Sequence, residues 1–337
     1  MLVEPGSAKT EFPAPRLVVV TGVCGFIGSH LAEALLARPG VSVLGVDRVK
    51  PDHDPRTAHV LAALLDRRGF ELLSVDSGDE AVASYLGEAD AVVHLAAPTE
   101  VAASWGPGFP DQAASLLSSQ RLLDHCWTAQ VPRVVVASSA HVYGPGGEFA
   151  REDVPAEPTS PYGVVKLATE RLATAYARRP GSTMSTVALR FFTAFGPRVN
   201  PNMVVARMFR AAMSGELMPL FGDGTAPHSW THVDDLVGAV LSALAAPLEA
   251  GCGEVVNAAG ADTASLREVG ELVGKIVGQA VTWQPAGARA GDAAGVRADL
   301  TRARRVIGFE PRIGLREGLE ALWTHLAEDA SLPAADR

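Results

Sequence analysis

The fold of this chain is decided by its residues 17–28, LVVVTGVCGFIG. The apolar run Leu17–Val20 predicts a buried strand, and Phe26–Leu36 predicts a helix that follows it almost directly. The glycines between them are spaced Gly-x-x-Gly-x-x-Gly, which permits a tight turn, close approach of a pyrophosphate and close helix–strand packing. The stretch therefore predicts a dinucleotide-binding turn. Its expected contact residues are Gly22, Gly25, Phe26, Ile27 and Gly28.

Beyond this stretch, short apolar runs alternate with longer amphipathic segments, which is typical of a parallel sheet covered by helices. The predicted strands are Leu17–Val20, Val41–Val46, Glu71–Val75, Ala91–Leu95, Arg133–Ala137 and Ser185–Leu189. The predicted helices include Phe26–Leu36, roughly Asp111–Ala129, and Pro161–Ala177. The pattern predicts an α/β fold: a Rossmann-type doubly wound parallel sheet with a smaller C-terminal substrate-binding region.

The rhythm changes at about Asn200, where apolar runs shorten and Gly and Pro interrupt them more often. We expect a flexible leader over residues 1–16, a nucleotide-binding Rossmann domain over 17–199, and mainly a substrate region over 200–330. One later apolar run, Gly253–Asn257, is expected to return to the main sheet.

The composition is that of an ordinary globular protein, with 337 residues, 47% hydrophobic and 20% charged. A net charge of −9 without a basic run argues against a nucleic-acid partner. No apolar run approaches the length of a membrane span, so no membrane partner is expected. Three unevenly spaced cysteines argue against a disulfide framework and against a metal site, and they fit a cytoplasmic location.

Asp47 closes the second predicted strand about 20 residues beyond the glycines, where an acid can bind both ribose hydroxyls of NAD and repel a 2′-phosphate. This position favours NAD, although the adjacent Arg48 leaves NADP open. Asp76, with Ser77 behind it, is a candidate for the adenine amino group, or else an ordinary strand-end turn. The backbone that is expected to lie against the dinucleotide after the fourth strand belongs to Leu95, Ala96 and Ala97.

Tyr162 and Lys166 have the spacing Tyr-x-x-x-Lys, which places both side chains on one face of a helix. A free phenol titrates near pH 10, and a nearby ammonium lowers its pKa toward neutrality and makes it a usable base. Ser139, at the end of the fifth predicted strand, is a candidate to join the phenol to a substrate oxygen. The alternatives are a chance surface pair and serines that merely terminate a strand.

Taken together, TGVCGFIG at 21–28, SSAHVYG at 138–144 and SPYGVVK at 160–166 resemble the extended short-chain dehydrogenases/reductases. The branch is that of NAD-dependent nucleotide-sugar epimerases and dehydratases, and the likeness runs from Leu17 to about Ala327. It implies that Tyr162 and Ser139 handle the proton of a sugar hydroxyl while hydride moves to or from the nicotinamide. It also implies that Lys166 lowers the tyrosine pKa and binds the nicotinamide ribose.

The resemblance further implies a nucleotide-diphosphate sugar as substrate and a homodimer formed by the helix that carries Tyr162 and the helix near Asp111–Ala129. Their apolar faces, at Val165, Leu167 and Leu172 and at Leu116, Leu122 and Leu123, fit a dimer or the monomer core equally. The expected substrate-binding residues are Ser139, Ala140, His141, Thr193, Asn200, Met203, Arg207, His228, Arg289 and Asp292.

Several positions depart from the family pattern. Ala140 and His141 stand where the dehydratases place an Asp-Glu pair, which argues against 4,6-dehydration. The segment from Asn200 most resembles UDP-glucuronate 4-epimerases and neighbouring sugar 4-epimerases, yet those glucuronate enzymes carry an arginine at this position. His228 also replaces an arginine of the family. A uronic acid is therefore possible but not favoured.

The sequence accordingly predicts an NAD-dependent nucleotide-sugar 4-epimerase that acts through a transient 4-keto intermediate. A 4-ketoreductase or dehydrogenase with net NAD(P)(H) turnover needs the same catalytic residues and stays open. A non-catalytic nucleotide-sensing protein is the third hypothesis. The nucleotide, the sugar and the pathway stay open.

Overall fold

The structure is a computed structural model that describes residues 15–48, 55–144, 149–287 and 295–331. Most of the expected leader, together with Arg289 and Asp292, lies outside the described residues. None of the helices within those four ranges is both long and apolar enough to cross a membrane.

A parallel sheet of seven strands forms the centre of the molecule, in the spatial order β10-β6-β5-β4-β1-β2-β3. Its strands are β1 (Leu17–Thr21), β2 (Ser42–Val46), β3 (Phe70–Leu73), β4 (Ala91–His94), β5 (Arg133–Ser139), β6 (Ser185–Phe191) and β10 (Gly253–Ala258). The chain order reverses between β1 and β4, which is the point where such sheets bind their ligands.

Helices cover both faces of this sheet. The main ones are α1 (Phe26–Leu36), α2 (Pro55–Leu65), α3 (Glu80–Leu86), α4 (Phe109–Thr128), α5 (Pro161–Ala177), α7 (Val233–Ala245) and α9 (Thr301–Ile307). The strand residues divide between the faces by alternation: Val18 and Val20 pack with α1 and α7, whereas Val19 packs with α3 and α4. The predicted doubly wound α/β fold is confirmed.

A second, smaller core lies beyond residue 195. It is built on α6 (Val204–Ser214), α8 (Leu266–Val277) and α10 (Leu315–Ser331) and is centred on Phe209, Trp230 and Val269. Two small sheets accompany it, one of β7 (Thr193–Phe195), β9 (Pro227–His232) and β11 (Thr263–Ser265), the other of β8 (Met218–Leu220) and β12 (Trp283–Pro285).

The two units are interleaved along the chain. Strand β9 continues directly into α7, which packs on the main sheet, and β10 then pairs in parallel with β6 at the sheet edge. Buried Arg133 fixes the end of α7, because its guanidinium donates to the carbonyl oxygens of Ala243 at 2.5 Å and Ala246 at 2.7 Å. The substrate region is thereby joined to the main sheet by the elements that follow β9.

Candidate active site

The glycine turn between β1 and α1 has room for no side chain at two positions. Gly22 has a positive φ of 70°, and a Cβ on it would lie 2.8 Å from the backbone nitrogen of Ala96. A Cβ on Gly28 would lie 2.1 Å from the carbonyl oxygen of Gly22. The turn therefore packs against the end of β4 and against its own helix, as close approach of a dinucleotide requires.

The N-terminus of α1 is available to an anion. Its N-cap is Gly25, and no side chain accepts a hydrogen bond from the first turn. Phe26 and Ile27 open the helix and direct their side chains into the two cores. The free N–H groups and the positive end of the helix dipole can therefore receive a pyrophosphate.

Asp47 lies beside the glycine turn, where the sequence placed it. Its Oδ2 accepts the backbone N–H of Cys24 at 3.0 Å, which orients the carboxylate toward the turn, and neighbouring Arg48 is exposed. Asp76 Oδ1 accepts the N–H of Gly78 at 2.9 Å. Asp76 therefore forms a strand-end turn, which was the alternative to binding the adenine amino group. Ser77 is buried behind it.

Leu95, Ala96 and Ala97 follow β4 as half-buried backbone next to the turn. The residue before them, His94, is buried and links the side chains of Thr21 and Ser119 at 2.7 and 2.8 Å. Burial lowers the pKa of His94 to about 3, so this histidine is neutral and supports the cofactor edge without titrating there.

The three predicted catalytic residues meet where β5 ends and α5 begins. Ser160 caps α5 by accepting the N–H of Gly163 at 3.2 Å, and Pro161 occupies the first turn. The helix therefore begins one residue before Tyr162. The Tyr162 phenol lies near the Ser139 hydroxyl, which acts to lower the phenol's pKa. Lys166 Nζ lies 5.8 Å from the centre of the Tyr162 ring and donates to the carbonyl oxygen of Ala137 at 3.0 Å.

The electrostatics of this cluster differ from the expectation that Lys166 lowers the pKa of Tyr162. Burial raises the pKa of Tyr162, and the nearby Ser139 hydroxyl only partly offsets that effect. Burial also lowers the pKa of Lys166 to about 8. In the protein alone, desolvation of the phenolate is the largest effect on the pKa of Tyr162, and the Lys166 ammonium is itself desolvated and engaged with a backbone carbonyl.

A cavity of about 570 Å³ lies between the end of the main sheet and the second core, and its wall includes Ala140 and His141, the two residues that follow Ser139. Five of the predicted substrate residues line it: Ala140, His141, Thr193, Arg207 and His228. The His141 ring packs edge to face on the Tyr162 ring with centres 5.7 Å apart, and its backbone N–H donates to Ser139 Oγ at 3.2 Å. Burial lowers the pKa of His141, so its imidazole is neutral.

Three of the described residues predicted to bind substrate do not line this cavity. Ser139 belongs to the catalytic cluster, and the other two lie just before α6. Asn200 forms a turn in which its Oδ1 accepts the N–H of Asn202 at 2.9 Å, and Met203 packs on the second core. Asn202 and Val204 line the cavity instead. Residues 200–203 form a turn before α6, which is closed by the hydrogen bond from Met203 N–H to the carbonyl oxygen of Asn200 at 2.8 Å.

The family comparison agrees with this geometry. Residues 18–259 match the family described as the NAD dependent epimerase/dehydratase family. The chain belongs to this family. The predicted resemblance is thereby confirmed, and the cofactor in the family's description is NAD, which Asp47 had favoured.

Individual members of the epimerase/dehydratase family cover nearly the whole chain. The Bacillus subtilis (strain 168) protein YtcB, described as an uncharacterized UDP-glucose epimerase, is 34% identical over 304 residues, covering 90% of this chain and 95% of YtcB. The UDP-glucuronic acid 4-epimerase from Bacillus cereus, solved with UDP-glucuronic acid and NAD, has a TM-score of 0.87 at 30% identity, with 93% and 99% of the chains covered. MoeE5, solved with UDP-glucose and NAD, has a TM-score of 0.83 at 36% identity and the same coverage.

This family member has an aromatic cavity wall that was not predicted from its sequence. Its side chains come from several distant elements: Phe192, Phe221, Trp230 and Trp283. The segment FGDG at 221–224 carried a signal, because an aromatic residue stands before a glycine-rich turn. Trp283 carried no such signal, because its place in the cavity wall depends on the pairing of β12 with β8.

No group of three or more His, Cys, Asp or Glu side chains that could hold a metal ion occurs among the described residues.

Proposed function

We propose that this protein is an NAD-dependent epimerase that inverts C4 of the sugar of a nucleotide-diphosphate sugar, with UDP-hexoses as the first substrates to test. The observation that carries the proposal is the cluster of Ser139, Tyr162 and Lys166 at the end of β5, directly before the cavity-wall residues Ala140 and His141. The cavity volume of about 570 Å³ is in the range of small-molecule sites. Solved relatives that contain UDP-glucose or UDP-glucuronic acid support the choice of nucleotide.

The residues present fit NAD. The cradle of Gly22 and Gly28 leaves space for a pyrophosphate at the open N-terminus of α1, and the Asp47 carboxylate stands beside it for the ribose hydroxyls. Lys166 has further N–H donors besides the one that Ala137 accepts, and these can serve the second ribose. Bound NAD supplies the acceptor and later the donor of the hydride at sugar C4.

The chain's own residues handle the proton. Ser139 accepts the N–H of His141 and acts on the pKa of the nearby Tyr162 phenol, so the serine can pass a proton between a sugar hydroxyl and Tyr162. Tyr162, as the phenolate, takes the C4 hydroxyl proton when the ketone forms, and it returns that proton when the opposite face of the ketone is reduced. The same tyrosine therefore acts as base and then as acid, and the overall redox change is zero.

Inversion requires the ketone to turn within the site, and the cavity wall favours this. Ala140 and Phe192 present small and apolar surface near the catalytic end, so part of the wall there offers the turning sugar no polar side chain. Ala140 and His141 also offer no carboxyl pair of the kind that removes water across C5–C6, so dehydration is disfavoured. A net ketoreductase would use the same three catalytic residues and is the second candidate.

For the quaternary structure we propose a homodimer formed through α4 and α5. Part of the expected interface is monomer core, because Leu122, Leu123 and Val165 are buried within the single chain. Leu117 on α4 and Val164 on α5 are instead about half exposed, at 49% and 52%, and they support a contact with a second copy. Light scattering of wild-type protein and of Leu117→Glu tests this proposal, and a monomer for both would overturn it.

A cytoplasmic location is also proposed, on the support of three free cysteines, Cys24, Cys126 and Cys252. Fractionation of cells that express a tagged chain tests it. Recovery of the protein outside the cytoplasmic fraction would count against it.

The central experiment incubates purified protein with UDP-, dTDP- and GDP-sugars and identifies products by NMR. We expect an equilibrium mixture of C4 epimers with NAD in catalytic amount or none added, and no product from Tyr162→Phe. Consumption of one NAD(P)H for each product formed would replace the epimerase with the ketoreductase. No turnover of any sugar by folded, NAD-loaded protein would favour the sensing role.

A further inference from the structure

A buried ion pair lies beneath the catalytic residues and takes no part in the chemistry described above. Glu170 on α5 and Arg190 on β6 have side chains that are 0% and 2% exposed. Arg190 Nε and Nη2 donate to the two carboxylate oxygens of Glu170 at 2.8 and 2.9 Å. The hydroxyl of Ser138 on β5 donates a further hydrogen bond to the same carboxylate. One carboxylate thus joins a helix to two neighbouring strands of the main sheet.

This carboxylate belongs to a row of contacts that fixes α5 on β5. Tyr162, Lys166 and Glu170 recur every fourth residue and therefore lie along one face of α5. Lys166 and Glu170 are hydrogen-bonded to Ala137 and Ser138 of β5, and Tyr162 lies near Ser139, the next residue of that strand. Tyr162 and Lys166 have roles toward substrate and cofactor, whereas Glu170 has none. Its charged contact therefore serves to fix the position of α5 at the end of β5.

Arg190 is fixed from its other side as well. Its guanidinium carbon lies 4.6 Å from the centre of the Tyr143 ring, and the Tyr143 hydroxyl donates to Asn257 Oδ1 at 2.6 Å. Tyr143 directly follows the 3₁₀ turn that carries His141. The pair is therefore connected both to the helix of Tyr162 and to the turn that forms the cavity wall.

A lone carboxylate at this depth would act strongly on the phenol, because charges interact over long distances where water is excluded. The bidentate guanidinium cancels that charge locally. We propose that Glu170 positions Tyr162 against Ser139 by anchoring α5 to the end of β5, and that Arg190 neutralises the anchoring carboxylate. The kinetic part of this proposal rests on the proposed function, whereas its electrostatic part does not.

Other charged or titratable groups face this region and stay constant through the test. Lys166 lies one turn before Glu170 on the same helix, and Tyr143 lies on the turn after β5. Glu152, which accepts the N–H of Asn257, acts on Arg190, and buried His94 on β4 acts on Lys166. Because these groups are the same in each variant, a difference in the Tyr162 titration between variants is caused by the change in Glu170 or Arg190.

The electrostatic test uses the ultraviolet difference spectrum of tyrosinate as pH rises, in NAD-free protein. Wild type, Glu170→Gln, Arg190→Met and the double variant are each compared with the same protein carrying Tyr162→Phe, which isolates one phenol from the four tyrosines. We expect Glu170→Gln to move the Tyr162 midpoint down and Arg190→Met to move it up, each by on the order of one pH unit. The double variant should return it close to wild type.

Shifts of the same sign in both single variants, or no shift in either, would overturn the neutralising role of Arg190. The double variant keeps the proposal testable if a single variant fails to fold, because it buries no unpaired charge. In that case, a double variant whose Tyr162 midpoint equals that of wild type supports neutralisation. A double variant whose midpoint differs from that of wild type by more than about one pH unit contradicts it.

The positioning role is tested by steady-state kinetics on the nucleotide sugar that the protein turns over, at saturating NAD. Ser138→Ala removes the anchor hydrogen bond and keeps the ion pair. We expect kcat to fall about 10- to 100-fold with KM changed less than about twofold, since misplacement of a reacting group costs rate and not binding. Ser138→Thr, which keeps the hydroxyl, should restore most of kcat. A rise in KM with unchanged kcat, or equal rates for both variants, would overturn positioning.

Discussion

His141 and Tyr162 pack edge to face with ring centres 5.7 Å apart, and this contact places a neutral imidazole at the cavity wall beside the catalytic phenol. No hydrogen bond from the His141 ring to another described residue is formed, so its ring nitrogens are available to a sugar. A neutral imidazole offers one donor and one acceptor, which suits a hydroxyl better than a carboxylate.

The first prediction concerns substrate choice. We expect His141→Ser to raise kcat/KM for UDP-glucuronic acid relative to UDP-glucose by about tenfold, because a small hydroxyl leaves room and a donor for a carboxylate. The two substrates are compared in one competition assay with NMR detection. His141→Ala is the matched control, since it gives the space without the donor. An unchanged ratio in both variants would remove His141 from substrate selection.

The catalytic base is tested by Tyr162→Phe, which deletes only the phenol oxygen. Loss of proton transfer predicts a fall in kcat of about 10²- to 10⁴-fold. NAD affinity and thermal stability should change little, because the ring keeps its packing against His141. Isothermal calorimetry with NAD and a melting curve serve as controls for this variant. A Tyr162→Phe protein with near wild-type kcat would require another base.

Asp47 is expected to decide between NAD and NADP. Asp47→Ser should weaken NAD binding about 10- to 100-fold through loss of the charged hydrogen bonds to the ribose, and it should improve relative binding of NADP. Ser42→Ala, at the opposite end of β2, is the control for a non-specific disturbance of the strand. Fluorescence titration with both dinucleotides measures the outcome. If Asp47→Ser bound the two cofactors in the wild-type ratio, the ribose assignment would be wrong.

Much of this site could be predicted because its motifs are local. The glycine turn and the pair Tyr162 and Lys166 depend on residues within one turn or one helix face, so their spacing carries the geometry. Asn200 lies in an asparagine turn before α6, and side chains within such a turn do not follow a helical period, so the sequence could not show which of them line the cavity. Trp283 could not be placed, since its position depends on strand pairing across a long stretch of chain.

The pKa values of the site were harder to predict from the sequence than its geometry. Sequence spacing showed that Lys166 is near Tyr162, yet it could not show that both groups are buried, and burial determines the direction in which the pKa of Tyr162 moves. The short helices α2 and α3 were also not anticipated, because brief amphipathic segments carry weak periodicity. Nonlocal burial is therefore the common cause of what the sequence left undetermined.

Arg133 provides a stability prediction that is separate from catalysis. Its guanidinium satisfies the carbonyl oxygens that end α7 and donates to Ser185 Oγ at 2.8 Å, in a fully buried position. We expect Arg133→Met to lower the free energy of unfolding by about 2–4 kcal/mol, since buried acceptors lose their donors. Urea unfolding measures it, with exposed Arg151→Met as control. A change below about 0.5 kcal/mol would show that the cap contributes little.

His94 predicts how the cofactor edge responds to acid. Thr21 Oγ1 accepts the N–H of Ala96 at 3.2 Å, so its own hydrogen points to His94 Nδ1; Ser119 donates to Ser115 O, so its oxygen accepts from His94 Nε2. The neutral Nε2–H tautomer thus satisfies every partner, and protonation of Nδ1 would set two donors against each other.

The sign of the resulting pH dependence follows from linkage. Burial lowers the pKa of His94 from 6.5 to about 3, so between these values the unfolded chain binds a proton that the folded chain does not. Stability from this group is complete above pH 6.5 and declines as the pH falls toward 3. We expect the free energy of unfolding of wild type to fall more steeply over this range than that of His94→Asn, by on the order of 3 kcal/mol in total. Equal slopes in urea titrations at a series of pH values would show that His94 protonates freely in the folded protein.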